Sequence, residues 1–488
     1  VVVAIVFIVG FLNFPLQFLG TVFDHLPGDG ADNRLNNFIL EHGYRWLTGR
    51  EASFWDAPAF HPKPGATAWS DAHIGMLPIY ASARFVGVTP EQGYQTHYVA
   101  CFVLNYVATV WALRRLGFGP VGTAAGAFLF TFNLPLASQS IHTQLYPRWL
   151  VPPSVVFGWE FLCRPRASKL AALCACGVGQ MYLTVYVGYI LSLLLGAGLV
   201  VTLIRFRNEI PWDELRRPSR REWAKRLGVA TAAIAALLPL LAKHGSQVRG
   251  TQLEWIRESA PQPQSWLIPS DIAFVSPERG WSPLPRLAVP TPPVEHRLFI
   301  GFLPLGCVLV GVWRSFGDVR MGTATGRATA AALTVVLLML FVTRFGPVWA
   351  YEPLLHLPGS RGIRIPARVV LVLTFPAAVA LAWGIDSVVK AAHAWGRIPA
   401  LGVASLLIVS TSLEQRLIPV ESNAEVWASH RYPIVEAKAW QAKVADAIAG
   451  EPRPRIVYVF PSMGHGLREP LQLQTETMRA TQDLGIPC

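Results

Sequence analysis

Asp29 and Asp32 stand three residues apart in "LPGDGADNRL" (26–35), directly after the apolar run Val1–Phe23. A carboxylate within about 3 Å of a hydroxyl can take its proton as the oxygen attacks. Glycines on both sides of Asp29 let backbone or ligand come close. Asp32 has a second reading, as the N-cap of the helix that follows; Asp29 has the alternative of a solvated loop acid. Further on, "FWDAPAFHPKPGATAWSDAHIG" sets Asp56, His61, Asp71 and His73 among Trp55, Phe60 and Trp69. Asp and His can hold a divalent metal, but no spacing here is diagnostic of one. The aromatics suit a membrane-interface belt or stacking on sugar rings. Late in the chain come Arg344, Arg361, Arg364 and Arg368. Guanidinium forks suit phosphate oxygens, and spacings of three and four would put the last three on one face of a helical segment. Their other reading is lipid-headgroup contact or pairing with the acids of the first loop. Arg148, in "HTQLYPRW", is a weaker candidate for the same role, and His142 in that stretch is a candidate to orient a substrate.

These groups must be positioned by membrane helices. The 488 residues are 52% hydrophobic and 15% charged, against about 25% charged in a soluble domain. The apolar residues gather into runs long enough to cross a hydrocarbon core of roughly 30 Å. Eleven spans are expected, at 1–22, 93–113, 119–137, 149–163, 169–184, 186–205, 228–243, 297–314, 328–344, 367–386 and 398–412. With a cytoplasmic N-terminus, every inside loop is basic: Arg114 and Arg115; Arg164 and Arg166; "RFRNEIPWDELRRPSRREWAKR"; Arg320 and Arg327; Lys390 and Arg397. Loop 23–92 is rich in acid instead. The alternation obeys the positive-inside rule, and it accounts for the net charge of +12 without nucleic acid. The basic loop 206–227 reads as anionic-lipid contact.

The expected fold class is an all-α polytopic membrane protein of about eleven transmembrane helices. A transmembrane module covers 1–412, with large outer loops at 23–92, 244–296 and 345–366. A small extracytoplasmic α/β segment, 413–488, follows. In it, "YPIVEAKAWQAKVADAIAG" reads as a helix and "RIVYVFP" as a strand. In the first loop, Leu35, Phe38, Ile39, His42, Trp46 and Leu47 recur at helical spacing. That predicts an amphipathic helix, lying along the outer membrane surface or packed on its own protein. The Pro-rich stretches "SAPQPQSWLIPS" and "LAVPTPPVEHR" read as polyproline segments or as stretches that order on contact. Because the chain opens inside an apolar run and stops at "DLGIPC", a longer protein is expected at both ends.

Several chemistries lack their motifs. There is no phosphate-binding P-loop, no G-x-G-x-x-G, no G-x-S-x-G and no paired zinc spacing. The six cysteines form no framework and read as structural.

"GDGADNRL…EHGYRWLTGR…FWDAPAFHP…WSDAHIGMLPIYA" resembles the first outer loop of the GT-C superfamily of membrane glycosyltransferases, nearest its YfhO-type and protein O-mannosyltransferase-like bacterial branch. "SQSIHTQLYPRWLVPP" and "LPGSRGIRIPARVVLVL" add to the resemblance. It implies a GT-C-like fold in a bacterial inner membrane. It also implies transfer of a sugar from a polyprenyl-phosphate donor to a glycan, lipid or protein acceptor on the extracytoplasmic side. An early outer-loop acid would serve as general base, matching Asp29 or Asp32 by position. The Asp-Glu pair of the mannosyltransferase branch is absent, so which of the two is the base stays open. Asp56, His61, Asp71, His142, Arg148, Arg361, Arg364 and Arg368 are the expected substrate contacts. A divalent metal is an open possibility that no motif indicates. The alternative function is a lipid or solute transporter, which favours ionisable groups deep in the spans; here they gather at the outer lip.

Overall fold

The computed structural model describes residues 1–247, 251–279, 282–357, 360–362, 364–449, 456–457 and 468–488. Each of the eleven expected spans falls on a helix. Among the described residues, eight helices are long and apolar enough to cross a membrane, including Pro90–Arg115, Pro120–Ser138, Val185–Arg205, Arg220–Gly245 and Pro366–Trp395. The helices on three other expected spans are shorter than these eight. Val151–Cys163 and Phe302–Arg314 have 13 residues each and Ala167–Leu183 has 17. At 1.5 Å per residue the first two reach only about 20 Å. Pro152 and Pro153 confine the first helix to its own start, and Gly301, at φ 107°, sets the start of the second.

Hydrophobicity alone cannot choose partners inside a bilayer, because lipid tails are as apolar as leucine; close backbone approach does. The centre of the bundle shows this. Gly122 and Gly126 lie four apart on the Pro120–Thr131 helix, against Ala378 and Ala382, four apart on Val370–Ala392. A Cβ at Gly122 would fall 2.3 Å from the Ala382 carbonyl oxygen, and one at Gly126 2.8 Å from that of Ala378. The Asp386 carboxylate closes the same contact by accepting from the Gly119 and Gly122 N–H groups at 2.5 and 3.1 Å. These two helices are the most buried of the bundle.

All five expected inside loops meet at one end. Glu160 binds Arg115 and Lys169. Arg205 donates to the carbonyls of Ser315 and Gly317, and Arg327 to that of Leu116. Glu222 accepts from the Ala167 N–H, and Trp383 donates to Thr325 at 3.2 Å. A wrong span count would have scattered these loops over both ends. The opposite end carries the large loops and the tail.

There the tail is built into the first loop. Strand His25–Pro27 pairs antiparallel with Arg431–Pro433, Leu26 opposite Tyr432. The expected tail helix is Ile434–Ala449. A second helix, Arg468–Leu484, packs on the first-loop helix Asp32–Leu47. The expected strand at "RIVYVFP" lies outside the described residues except for Ile456 and Val457, which have no regular structure. The Asp32–Leu47 helix is covered on nearly all sides, with Asn33, Arg34, Asn36, Asn37 and Glu41 buried alongside Phe38 and Ile39. It is therefore packed on its own protein rather than laid along a membrane surface. Its polar face meets polar partners from the tail and from the Pro90–Arg115 helix.

Candidate active site

The geometry begins with the two glycines. Gly28 and Gly30 have φ of 87° and 81°, values that a side chain opposes. A Cβ on Gly28 would also fall 1.8 Å from the Asn33 amide nitrogen. The tight turn they form aims Asp29 and Asp32 differently. Asp29 turns inward on its own loop: its Oδ1 accepts from the Ala31 N–H at 3.0 Å. Asp32 opens the helix, whose N-cap is Ala31 without a side-chain cap bond. The N-cap reading of Asp32 is thus corrected, and its carboxylate is left for another partner.

That partner is His142. Its Nδ1 lies 3.0 Å from Asp32 Oδ2, and its Nε2 lies 3.8 Å from Glu295 Oε1. Glu295 in turn receives Arg368: Nη2 to Oε1 is 2.6 Å, and Nε contacts both oxygens at 3.2 and 3.3 Å. Gln139 donates to Glu295 Oε2 at 3.0 Å. Arg368 also lies over the Tyr186 ring, 5.1 Å from its centroid. A continuous row thus runs Asp32–His142–Glu295–Arg368, from a half-exposed carboxylate (54%) to a buried ion pair (4% and 8%). Burial opposes ionisation of Asp32, yet His142, then Arg368 and Arg364, hold its carboxyl below the usual value. Burial likewise opposes Glu295, and Arg368 and His142 hold it down. Both acids are anionic at neutral pH. Asp32 can accept a proton or orient a hydroxyl, and the exposed Arg364 adds positive potential beside it.

The other expected residues are placed elsewhere. Arg148 is fully buried, donating to the carbonyls of Leu371 and Phe130 at 2.7 and 2.9 Å. It ties two central helices together through those carbonyls. Arg361 donates to the Leu355 carbonyl at 3.2 Å. No single helix carries Arg361, Arg364 and Arg368; short 3-10 turns at Ser360–Gly362 and Pro366–Val369 replace the expected one-face row. Asp56 holds its own loop, accepting from Ser53 Oγ and the Gly65 N–H at 2.8 Å each. His61, in the same loop, is exposed. Asp71 accepts from Thr184 Oγ1 at 2.9 Å and the Val185 N–H at 2.6 Å, at the start of the Val185–Arg205 helix. Burial pushes its carboxyl above the usual value.

Glu295 and Gln139 were missed by sequence reasoning. Glu295 sits in "TPPVEHR", a stretch that reads as polyproline. The signal that could have found it is electrostatic: a buried arginine of the late cluster needs a counter-ion, and the middle loop offers acids on the same side. A second row lies next to the first. Ser140 Oγ is 2.7 Å from His430 Nδ1, His430 Nε2 is 3.2 Å from Asp271 Oδ1, and Asp271 Oδ2 is 2.6 Å from Arg297. Ser140 is fully buried, so this row serves to join the tail, through His430, to the loop that carries His142. Among the described residues, no group of three or more His, Cys, Asp or Glu is placed to hold a metal ion.

No protein-family model matches the chain, and no curated protein matches it. Solved structures do. The chain is similar to the oligosaccharyltransferase of Archaeoglobus fulgidus in its apo form, with TM-score 0.55 and 13% identity over 98% of this chain and 63% of that one. It is also similar to ArnT from Cupriavidus metallidurans in the apo state, with TM-score 0.44 and 14% identity over 98% and 83% of the two chains. The likeness to the oligosaccharyltransferase shows the fold, a multi-pass helical membrane bundle like that protein's; the chain spans 63% of that protein's length.

Proposed function

We propose that this chain is a glycosyltransferase of the cell envelope. It moves a sugar from a polyprenyl-phosphate donor to an acceptor on the extracytoplasmic side, with Asp32 as general base. The row Asp32–His142–Glu295–Arg368 carries this reading. Its half-exposed acid stands at the loop-rich end of a membrane bundle, where a membrane-held donor and an aqueous acceptor can both reach. On this reading Asp32 takes the acceptor hydroxyl's proton while that oxygen forms a bond to the anomeric carbon. The bond from that carbon to the phosphate oxygen breaks, and the lipid phosphate departs with its negative charge and needs no proton. Arg364, whose side chain makes no hydrogen bond or ion pair among the described residues, is the cation that faces that phosphate on this reading, since Arg368 is committed to Glu295. His142 positions the Asp32 carboxylate. "GDGADNRL" and its companion motifs favour the YfhO-type bacterial branch, with an inner-membrane location and a cytoplasmic N-terminus.

The test uses the purified full chain and a panel of polyprenyl-phosphate sugars. Asp32→Asn should lower transfer by about 10²-fold or more, the usual contribution of a positioned base. Asp29→Asn, which keeps an acceptor for the Ala31 N–H, should retain most activity. Arg364→Gln should raise the donor KM more than it lowers kcat. Full transfer by the Asp32→Asn protein removes Asp32 from the chemistry.

A further inference from the structure

At the basic end, the Ala167–Leu183 and Arg220–Gln247 helices start together and run parallel. Glu222 accepts from the Ala167 N–H near their starts, and Tyr182 donates to the Ala236 carbonyl at 2.7 Å, some four turns on. Between them lies a slot of about 770 Å³. Ala171 forms one wall, and Gly228, Val229 and Ala232 form the other. The latter three lie at positions i, i+1 and i+4 of one helical face. Arg166 and Lys225 stand at the mouth, one on each wall, both exposed. Among the described residues neither side chain makes a hydrogen bond or ion pair. The carboxylate in the slot, Glu222, is already engaged by the Ala167 N–H and by Arg226.

The slot opens outward, since Gly228 and Ala232 on its wall are exposed. The opposite face of the same helix exposes Trp223, Leu227, Ile234, Leu238 and Leu241, which places the helix at the lipid-facing rim of the bundle, and Trp223, 58% exposed, suits the headgroup level. The mouth therefore offers two exposed cations at headgroup depth, neither in an ion pair among the described residues, although Lys225 also acts on Glu222 at longer range. The walls below offer small apolar residues at chain depth.

We infer that this slot binds an anionic phospholipid: the phosphate sits between Arg166 and Lys225, and one acyl chain runs down past Ala171, Gly228 and Ala232. Zwitterionic lipids bind less well, because their ammonium group meets the same cations. Free phosphate binds poorly, because it has no chain to place between the walls. The site is remote from Asp32 and independent of any transferase chemistry.

Native mass spectrometry of the full purified chain, titrated with phosphatidylglycerol or phosphatidylethanolamine, tests this. Phosphatidylglycerol should be retained in preference. Arg166→Gln and Lys225→Gln should each weaken its binding about fivefold, the size expected of one basic residue near anionic lipid. Gly228→Leu gives a separate test of the chain position. A Cβ there meets nothing within 4 Å, so the leucine enters the slot without disturbing helix packing, and an unchanged thermal midpoint verifies that. It should weaken phosphatidylglycerol binding while leaving both cations in place. Equal retention of the two lipids, full binding by the Gly228→Leu protein, or displacement of the lipid by millimolar inorganic phosphate would each overturn the proposal.

Discussion

At the scale of single residues, the pair that fixes the candidate site is Glu295 with Arg368. Removing one member of a buried ion pair leaves the other charge uncompensated and costs about 3–5 kcal/mol, whereas replacing both with apolar residues of similar volume is often neutral. Glu295→Gln should therefore lower the thermal midpoint in detergent clearly. Glu295→Leu combined with Arg368→Met should recover most of that loss. If the double variant is no more stable than the single one, the pair is not the energetic unit its geometry describes. His73 gives a second residue-scale test, through pH. It is buried at a left-handed φ of 54°, with Nε2 3.0 Å from Asn36 Oδ1, and burial pushes its pKa down to about 4. The unfolded histidine titrates near 6.5. Between those values the unfolded chain takes up a proton that the folded chain refuses, so stability rises with pH. The contribution is complete above pH 6.5 and falls by about 3 kcal/mol on acidification to pH 4. His73→Gln should flatten the thermal midpoint against pH over that window; an unchanged slope would place the titration elsewhere. Asp29 and Asp32 were legible because glycines flank the first and both follow a span. Glu295 was not, because its counter-ion lies 73 positions away and only the fold brings them together.

At the scale of elements, the first-loop helix shows where periodicity misleads. Its apolar spacing predicts the helix, and Phe38, Ile39 and His42 of that stripe are buried, but periodicity does not report that its polar side is buried as well. Arg34 on that face is fully buried, held by Glu476 at 2.7 and 2.9 Å and by Glu91 at 3.2 Å. Gln441 completes the group by donating to Glu476 at 2.8 Å. A pattern of charges along one helix cannot report that another helix, more than 400 residues later, supplies matching charges. The same tail helix holds the turn bearing the candidate base. Gln472 donates to the Asp29 carbonyl at 2.7 Å, and Thr475 Oγ1 to that of Gly30 at 2.9 Å. Glu476→Gln should therefore act at a distance. It should destabilise the protein by about 3–5 kcal/mol and raise hydrogen exchange across residues 28–36 more than across the membrane helices. Uniform exchange in all segments would mean that the tail merely rests on the loop. The arginine row failed for a related reason. Spacings of three and four imply one face only on a continuous helix, and Pro366, which disfavours helix in the residue before it, lies between Arg364 and Arg368.

At the scale of the whole molecule, what was legible is what hydropathy and charge record cumulatively over many residues. All eleven expected spans lie on helices, and the loops assigned to one side meet at one end, although no single boundary was secure. Helix order around the bundle was not legible, because it depends on which backbones approach closely. Only the Gly122–Gly126 and Ala378–Ala382 contacts, read together, reveal the central pair. The orientation of the bundle in the membrane rests on the basic end being cytoplasmic, since Lys and Arg are retained on that side. Two exposed positions test it, Arg217 at the basic end and Lys63 in the first loop. Arg217→Cys and Lys63→Cys can be compared with the six native cysteines as background, in intact cells treated with a membrane-impermeant maleimide whose access is confined to the extracytoplasmic face. The Lys63→Cys protein should gain label, and the Arg217→Cys protein should gain it only after the membrane is opened. The reverse pattern would put Asp32 on the cytoplasmic side, away from an extracytoplasmic acceptor, and the proposed transfer would fail with the helical bundle itself unaffected.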